Sequence, residues 1–196
     1  MRHNNQGGNI MGTGNGTSWK RRNRQSENYR KYVSVRQLEP RVLAVKPQYT
    51  LEDLYISPFR KRRVYNEDGI GRYEALEVKT EPTGIEVFDK YLNYLAKGNN
   101  GMENFASALG ARVADIDSFV FLLTGMRGVD FRMAYQLRLA DDLLRYTNLE
   151  MTEVGRRSGI GTPTNLYYAY KRAYNVSPTR RRSQLRKKMD LGRYIL

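Results

Sequence analysis

Between Thr162 and Arg172 the chain sets Thr162, Thr164, Asn165, Tyr168, Lys171 and Arg172 within about three helical turns. Asparagine amides match the hydrogen-bonding edge of adenine, hydroxyl and phenol groups meet bases or sugars, and lysine and arginine neutralise phosphate. The chemistry this set suits is recognition of double-stranded DNA. Thr164, Asn165 and Tyr168 are the candidates for reading bases, and Thr162, Lys171 and Arg172 for holding the backbone. The run Thr179-Arg-Arg-Arg-Ser-Gln-Leu-Arg-Lys-Lys188 follows closely. Its Arg180, Arg181, Arg182, Lys187 and Lys188 are candidate phosphate contacts, which would add sequence-independent, salt-sensitive affinity. On a helix these cations surround the axis and form no single face.

The elements that must position these residues can be read from periodicity and punctuation. Met151, Val154, Gly155 and Ser158 line one face of a short helix that Gly159 ends. Leu166, Ala169, Tyr170 and Ala173 repeat at helical spacing in the next, leaving Thr164, Asn165, Tyr168 and Arg172 outward. This is a helix-turn-helix pattern, which carries its second helix into the major groove. Upstream, Thr83-Gly-Ile-Glu86 reads as a capping box opening a helix through Val87, Phe88, Tyr91, Leu92 and Leu95 to Gly98. Met102, Phe105, Ala106 and Leu109 mark a second helix, and Ile116, Phe119, Val120 and Leu123 the core face of a third that stops near Thr124-Gly125. A fourth, from Val129 to Tyr146, is expected to bury Met133, Leu137, Ala140 and Leu144 over about 27 Å. Ser177-Pro178 opens a seventh helix, with serine capping and proline in the first turn.

Composition narrows the chemistry further. The 196 residues carry 34 Lys and Arg against 20 Asp and Glu, a formal charge of +14, so an anionic partner is expected. Nucleic acid fits better than membrane, because no apolar run approaches the roughly 18 residues of a spanning helix. Cysteine is absent and the one histidine is His3, so zinc fingers, thiol chemistry and Ser-His-Asp catalysis lack their essential groups. The expectation is a non-enzymatic protein with no metal site and no cofactor. The adjacent acids Asp141 and Asp142 project about 100° apart on a helix and read as solvated surface, not as an acid/base pair. No apolar core of signal-peptide type is seen near the N-terminus, which points to a cytoplasmic, nucleoid-associated protein.

Residues 1–31 read as a disordered basic arm, and the glycines of Gly12-Thr-Gly14-Asn-Gly16 as linker, since no strand precedes them and no Gly-Lys-Ser/Thr follows. Residues 32–83 form a small accessory segment. Its short apolar runs, Val42-Leu-Ala-Val45 and Tyr73-Glu-Ala-Leu-Glu-Val78, are broken by Pro40, Pro47, Pro58 and the turn-like Asn66-Glu-Asp-Gly69, and a hairpin over 62–78 is expected. The segment is too short for an ordinary ligand-sensing barrel, and bracing the next domain or holding a partner are the roles left to it. The closing Leu191-Gly-Arg-Tyr-Ile-Leu196, within a tail at 189–196, is apolar enough to dock on the domain or on a second copy.

Taken in order, the helices of residues 84–188 resemble the double helix-turn-helix domain of the AraC family of bacterial transcription regulators. The most specific portion is Leu143-Leu144-Arg-Tyr-Thr147, Met151-Thr-Glu153-Val154, Gly159-Ile160, Thr162-Pro163-Thr164, Leu166, Tyr170-Lys171-Arg172, Tyr174 and Ser177-Pro178, with a weaker echo in Leu109-Gly110, Thr124-Gly125-Met126 and Phe131. The resemblance implies a mainly α, seven-helix fold whose two recognition helices, fixed by one long connector, enter major grooves about 34 Å apart. It also implies a DNA-binding transcription regulator. Two departures stand out. Tyr168 lies where the family commonly carries a basic residue. The first recognition helix, Ala114-Asp-Ile-Asp-Ser-Phe-Val-Phe-Leu-Leu123, presents Asp117, Ser118, Phe121 and Leu122 outward with no positive charge. Phe121 and Leu122 are accordingly a candidate protein interface, unless the segment at 32–83 folds over them. A helical scaffolding protein that binds protein or RNA through the same fold is the alternative reading.

Overall fold

The computed structural model describes residues 45–196. The basic arm expected at 1–31 and most of the first apolar run, Val42 to Ala44, lie outside the described residues.

The hairpin forms where turn chemistry placed it. Strand β1 (Lys61–Tyr65) pairs antiparallel with β2 (Gly71–Ala75), Tyr65 facing Gly71. In the turn, the Asn66 side-chain oxygen accepts the Ile70 N–H at 2.6 Å. A third strand, β3 (Tyr194–Ile195), comes from the far end of the chain and adds to the other edge of β1. The apolar tail thus docks on its own domain: Tyr194 stacks on Phe59 with ring centroids 5.2 Å apart and meets Tyr146 edge-on at 4.7 Å. Ahead of the hairpin, a single-turn helix α1 (Leu51–Leu54) is closed by a capping box between Thr50 and Asp53 and buries Leu54.

Seven further helices follow: α2 (Glu86–Ala96), α3 (Met102–Ala108), α4 (Val113–Thr124), α5 (Gly128–Tyr146), α6 (Met151–Ser158), α7 (Pro163–Tyr174) and α8 (Pro178–Leu185). Helices α3 and α4 form one helix-turn-helix unit, α6 and α7 the second, and the 19-residue α5 joins them. The connector serves two cores. Phe131 and Tyr135 pack into the first with Phe88, Leu92, Ile116 and Val120, while Leu137, Ala140, Leu143 and Leu144 pack into the second with Val154, Leu166 and Tyr170. Each wholly buried side chain of this size contributes on the order of 1.5–3 kcal/mol of transfer free energy.

Several sequence expectations are corrected. Thr83 and Glu86 make no capping box. Ile85 is the N-cap of α2 without a side-chain cap, and the Thr83 hydroxyl donates instead to the carboxylate of buried Asp89 at 2.8 Å, a charge-assisted bond that outcompetes a neutral cap. Leu109 is 40% exposed because α3 ends one residue earlier, and Phe119, at 37%, sits on the shoulder of α4. Ala173 is also exposed, and Met133 is only half-buried. The single stripe expected on α5 missed Phe131, Tyr135 and Leu139, since a helix facing two cores has no single buried face.

Asp141 and Asp142 are not solvated surface. Both side chains are only 13% exposed. Asp141 accepts the Tyr170 hydroxyl at 2.8 Å and a two-nitrogen contact from Arg181, while Asp142 accepts the Tyr55 hydroxyl at 2.8 Å and pairs with Arg138. The angular offset that separates them as a catalytic pair is what lets each fasten a different part of the chain to the connector.

Candidate nucleic-acid interface

The second unit is assembled by close backbone approach. A Cβ at Gly155 on α6 would lie 2.4 Å from the Gly161 carbonyl oxygen, so only glycine allows α6 to meet the turn before α7. Thr162 caps α7, its hydroxyl accepting the Asn165 N–H at 3.2 Å, and Pro163 occupies the first turn. On the inner side Leu166 and Tyr170 are wholly buried. Burial, and then the Asp141 carboxylate, raise the Tyr170 phenol far above its ordinary range, so its proton is fixed in the bond to Asp141.

That anchoring leaves one outer face. Thr164, Asn165 and Arg172 are exposed, and Tyr168 is 66% exposed. Tyr167, which periodicity did not single out, flanks them; its ring meets Tyr168 edge-on at 5.6 Å and lies beneath the Lys171 ammonium at 5.9 Å. Helix α7 carries no acid in its first turn and ends in Lys171 and Arg172. The exposed helix start adds a positive partial charge beside Thr162.

The tail divides where its sequence looked uniform. Arg181 is turned inward onto Asp141 and stacks over the Tyr174 ring at 4.1 Å. Arg182 donates to the Leu149 carbonyl, and burial lowers the pKa of its guanidinium. Arg186 donates to the Leu144 and Arg145 carbonyls at 3.0 and 3.3 Å, and to that of Thr147, closing the last turn of α5. Of the five cations expected to hold phosphate, Arg180, Lys187 and Lys188 are exposed, whereas Arg181 and Arg182 have partners within the protein. Lys188 lies toward the sheet, beside Arg63 and Arg193.

The first unit keeps the geometry and changes the surface. Asp117 does not face outward: its carboxylate accepts the Gly128 N–H at 2.6 Å and caps the connector. Asp115 pairs with Arg112 at 2.8 Å. What remains outward on α4 is Ala114, Ser118 and Leu122, the last 55% exposed, with Phe121 half-buried beside them. The described part of the accessory segment seals the end of this helix, the Gln48 and Tyr49 N–H groups donating to the Leu123 carbonyl at 2.9 and 3.2 Å, and leaves Leu122 uncovered.

The two units meet along a tight seam. A Cβ at Gly98 would lie 2.4 Å from the Arg157 carbonyl oxygen, and the buried Gln136 of the connector donates to the Gly159 carbonyl at 3.0 Å. The order of helices, two helix-turn-helix units joined by one long connector, is a double helix-turn-helix fold.

No protein-family model matches the chain, and no curated protein does. Among solved structures, the C-terminal domain of AraT, a response regulator from Geobacillus stearothermophilus, is similar over 50% of this chain and 80% of its own, at 21% identity and a TM-score of 0.44. The C-terminal domain of the two-component response regulator YesN from Fusobacterium nucleatum is similar over 50% and 94%, at 14% identity and 0.44. The DNA-binding domain of AdpA, a global transcriptional factor in complex with a target DNA, is similar over 50% and 88%, at 23% identity and 0.44. Among the described residues no helix is long and apolar enough to cross a membrane, and no cluster of His, Cys, Asp and Glu could hold a metal ion.

Proposed function

We propose that this protein is a sequence-specific DNA-binding regulator of transcription that reads double-stranded DNA through its second helix-turn-helix. The observation that carries this reading is the outer face of α7: Thr164, Asn165 and Tyr168 stand exposed on a helix whose inner face is locked by Leu166, Tyr170 and Asp141. Placed in the major groove, Asn165 pairs with adenine and Tyr168 meets base or sugar, while Thr162, Lys171 and Arg172 hold flanking phosphates. Arg180 and Lys187 extend the electrostatic grip, and Lys188 adds to the field from the side of the sheet. Arg181 and Arg182 act through the fold, by fixing α8 to the connector. Selection of bound sequences from a random duplex pool tests the reading. One compact motif is expected; no enrichment, or an affinity that does not change with salt, would overturn it.

A second reading concerns the first unit alone. Its exposed Leu122, beside Phe121 and Phe119 and without a free cation on the outer stripe of α4, favours a protein surface over a phosphate backbone. On this reading Leu122→Asp abolishes a partner complex and leaves DNA affinity unchanged.

A further inference from the structure

Between the connector and α7 runs a groove of about 650 Å³ whose only charged lining residues are cations: Arg132, Lys171 and Arg172. Its floor is apolar, formed in part by Met133, Ala169 and Ala173, and Asn165 and Tyr168 of the base-reading face stand at its edge. Arg132 is the unusual member. The other two arginines of α5 are paired, Arg138 with Asp142 and Arg145 with Asp190, whereas Arg132 has no carboxylate partner among the described residues. One of its terminal nitrogens donates to the Asn100 carbonyl, while its Nε is buried without a partner. Its guanidinium charge thus has no carboxylate counter-ion among the described residues, and an anion in the groove would supply one.

Apolar floor and cationic rim together match a sugar-phosphate strand, in which uncharged deoxyribose alternates with phosphate. We propose that Arg132, with Lys171 and Arg172, holds backbone phosphates of duplex DNA in this groove, the sugars lying over Met133, Ala169 and Ala173. This rests on the DNA-binding reading of α7 and adds to it. The strand leaving the base pairs read by α7 is fastened to the connector, which holds the first unit against the backbone without any base contact of its own.

The test uses the full chain and a duplex recovered by selection. Binding of the wild type and of Arg132→Gln is measured by fluorescence anisotropy between 50 and 200 mM KCl. Loss of one phosphate contact makes the log K against log salt slope shallower by about 0.9, so the deficit of the variant shrinks about 3.5-fold across that range. Arg132→Lys keeps the wild-type slope, and the selected motif stays the same for all three proteins. Equal slopes for wild type and Arg132→Gln would overturn the inference while leaving DNA reading intact. Failure of the wild type to bind duplex even at 50 mM would instead overturn the reading beneath it. A second measurement needs no variant: single neutral methylphosphonate linkages are placed through the duplex. One linkage beyond the base pairs read by α7, on the side of the first unit, is expected to weaken wild-type binding. Should only linkages within the α7 contact stretch do so, Arg132 holds no phosphate.

Discussion

Helices α4 and α7 are each 12 residues long, each follows a short helix and a tight turn, and each buries one stripe against the same connector. Their outer faces have little in common. On α4 both acids have partners within the chain, Asp115 in a surface pair with Arg112 and Asp117 on the first turn of α5, and the outer stripe of Ala114, Ser118 and Leu122 carries no charge. On α7 there is no acid, the start is capped by Thr162, and tyrosine, asparagine and two cations face solvent. The shared inner stripes, Ile116, Val120 and Leu123 against Leu166 and Tyr170, show that the helix-turn-helix geometry is fixed by what is buried. The outer residues are then free to diverge, and function must be argued from them one unit at a time.

That contrast can be broken most forcefully at the acids facing the connector. Asp141→Ala strands the Tyr170 hydroxyl and the partly buried Arg181, and should destabilise the protein by about 2–4 kcal/mol, whereas Asp117→Ala removes only a helix cap and should cost about 1 kcal/mol. Urea denaturation of the two variants compares them directly, and equal losses would mean that the units are anchored alike. Next in size is base reading. Asn165→Ala is expected to lose about 1–3 kcal/mol of discrimination at particular base pairs, and Leu122→Ala to change DNA affinity by less than about 0.5 kcal/mol. A competition assay with single-base variants of the selected site would show a DNA-reading first unit if Leu122→Ala shifted the preference.

The tail permits a finer cut. Arg172→Ala should weaken binding to all sequences and flatten the salt slope by about 0.9, while Arg182→Gln leaves the slope unchanged and lowers the melting temperature. The smallest effect concerns Glu153, whose carboxyl is held down to about 2 by hydrogen bonds from Arg156 and then Arg157. Because the folded pKa is depressed, its contribution to stability is complete above the ordinary carboxylate range and fades as pH falls through that range toward about 2. An NMR titration should give that low midpoint, moving up to the ordinary range when both arginines are replaced by alanine.

What could be read in advance follows from where the information lies. The second unit was legible because its boundaries are local: Gly159 ends a helix, Thr162-Pro163 and Ser177-Pro178 start two more, and each signal acts within one turn. The hairpin was legible for the same reason, through Asn66 and Gly69. The two-residue strand β3 was not, since Tyr194 and Ile195 acquire their register only by pairing with β1. Nor were the roles of Arg181, Arg182 and Arg186, which look alike in a basic run and separate only once Asp141 and the carbonyls ending α5 lie within reach. On α7 the outer residues were identified from spacing alone, while Tyr167 and Arg132 escaped because one sits off the outward stripe and the other lies on the connector.

The adjacent Asp141 and Asp142 also set an order of events in time. Asp141 closes contacts with Tyr170 and Arg181 across 29 and 40 residues of chain, while Asp142 reaches Tyr55 across 87. Closing a loop three times longer costs roughly 1 kcal/mol more in chain entropy. Chain entropy alone therefore favours closing the latch on α7 before the strap at Tyr55. Opening of the Tyr55 strap alone would leave the bond from Tyr170 to Asp141 closed, and the outer face of α7 would keep its orientation while the accessory segment loosened.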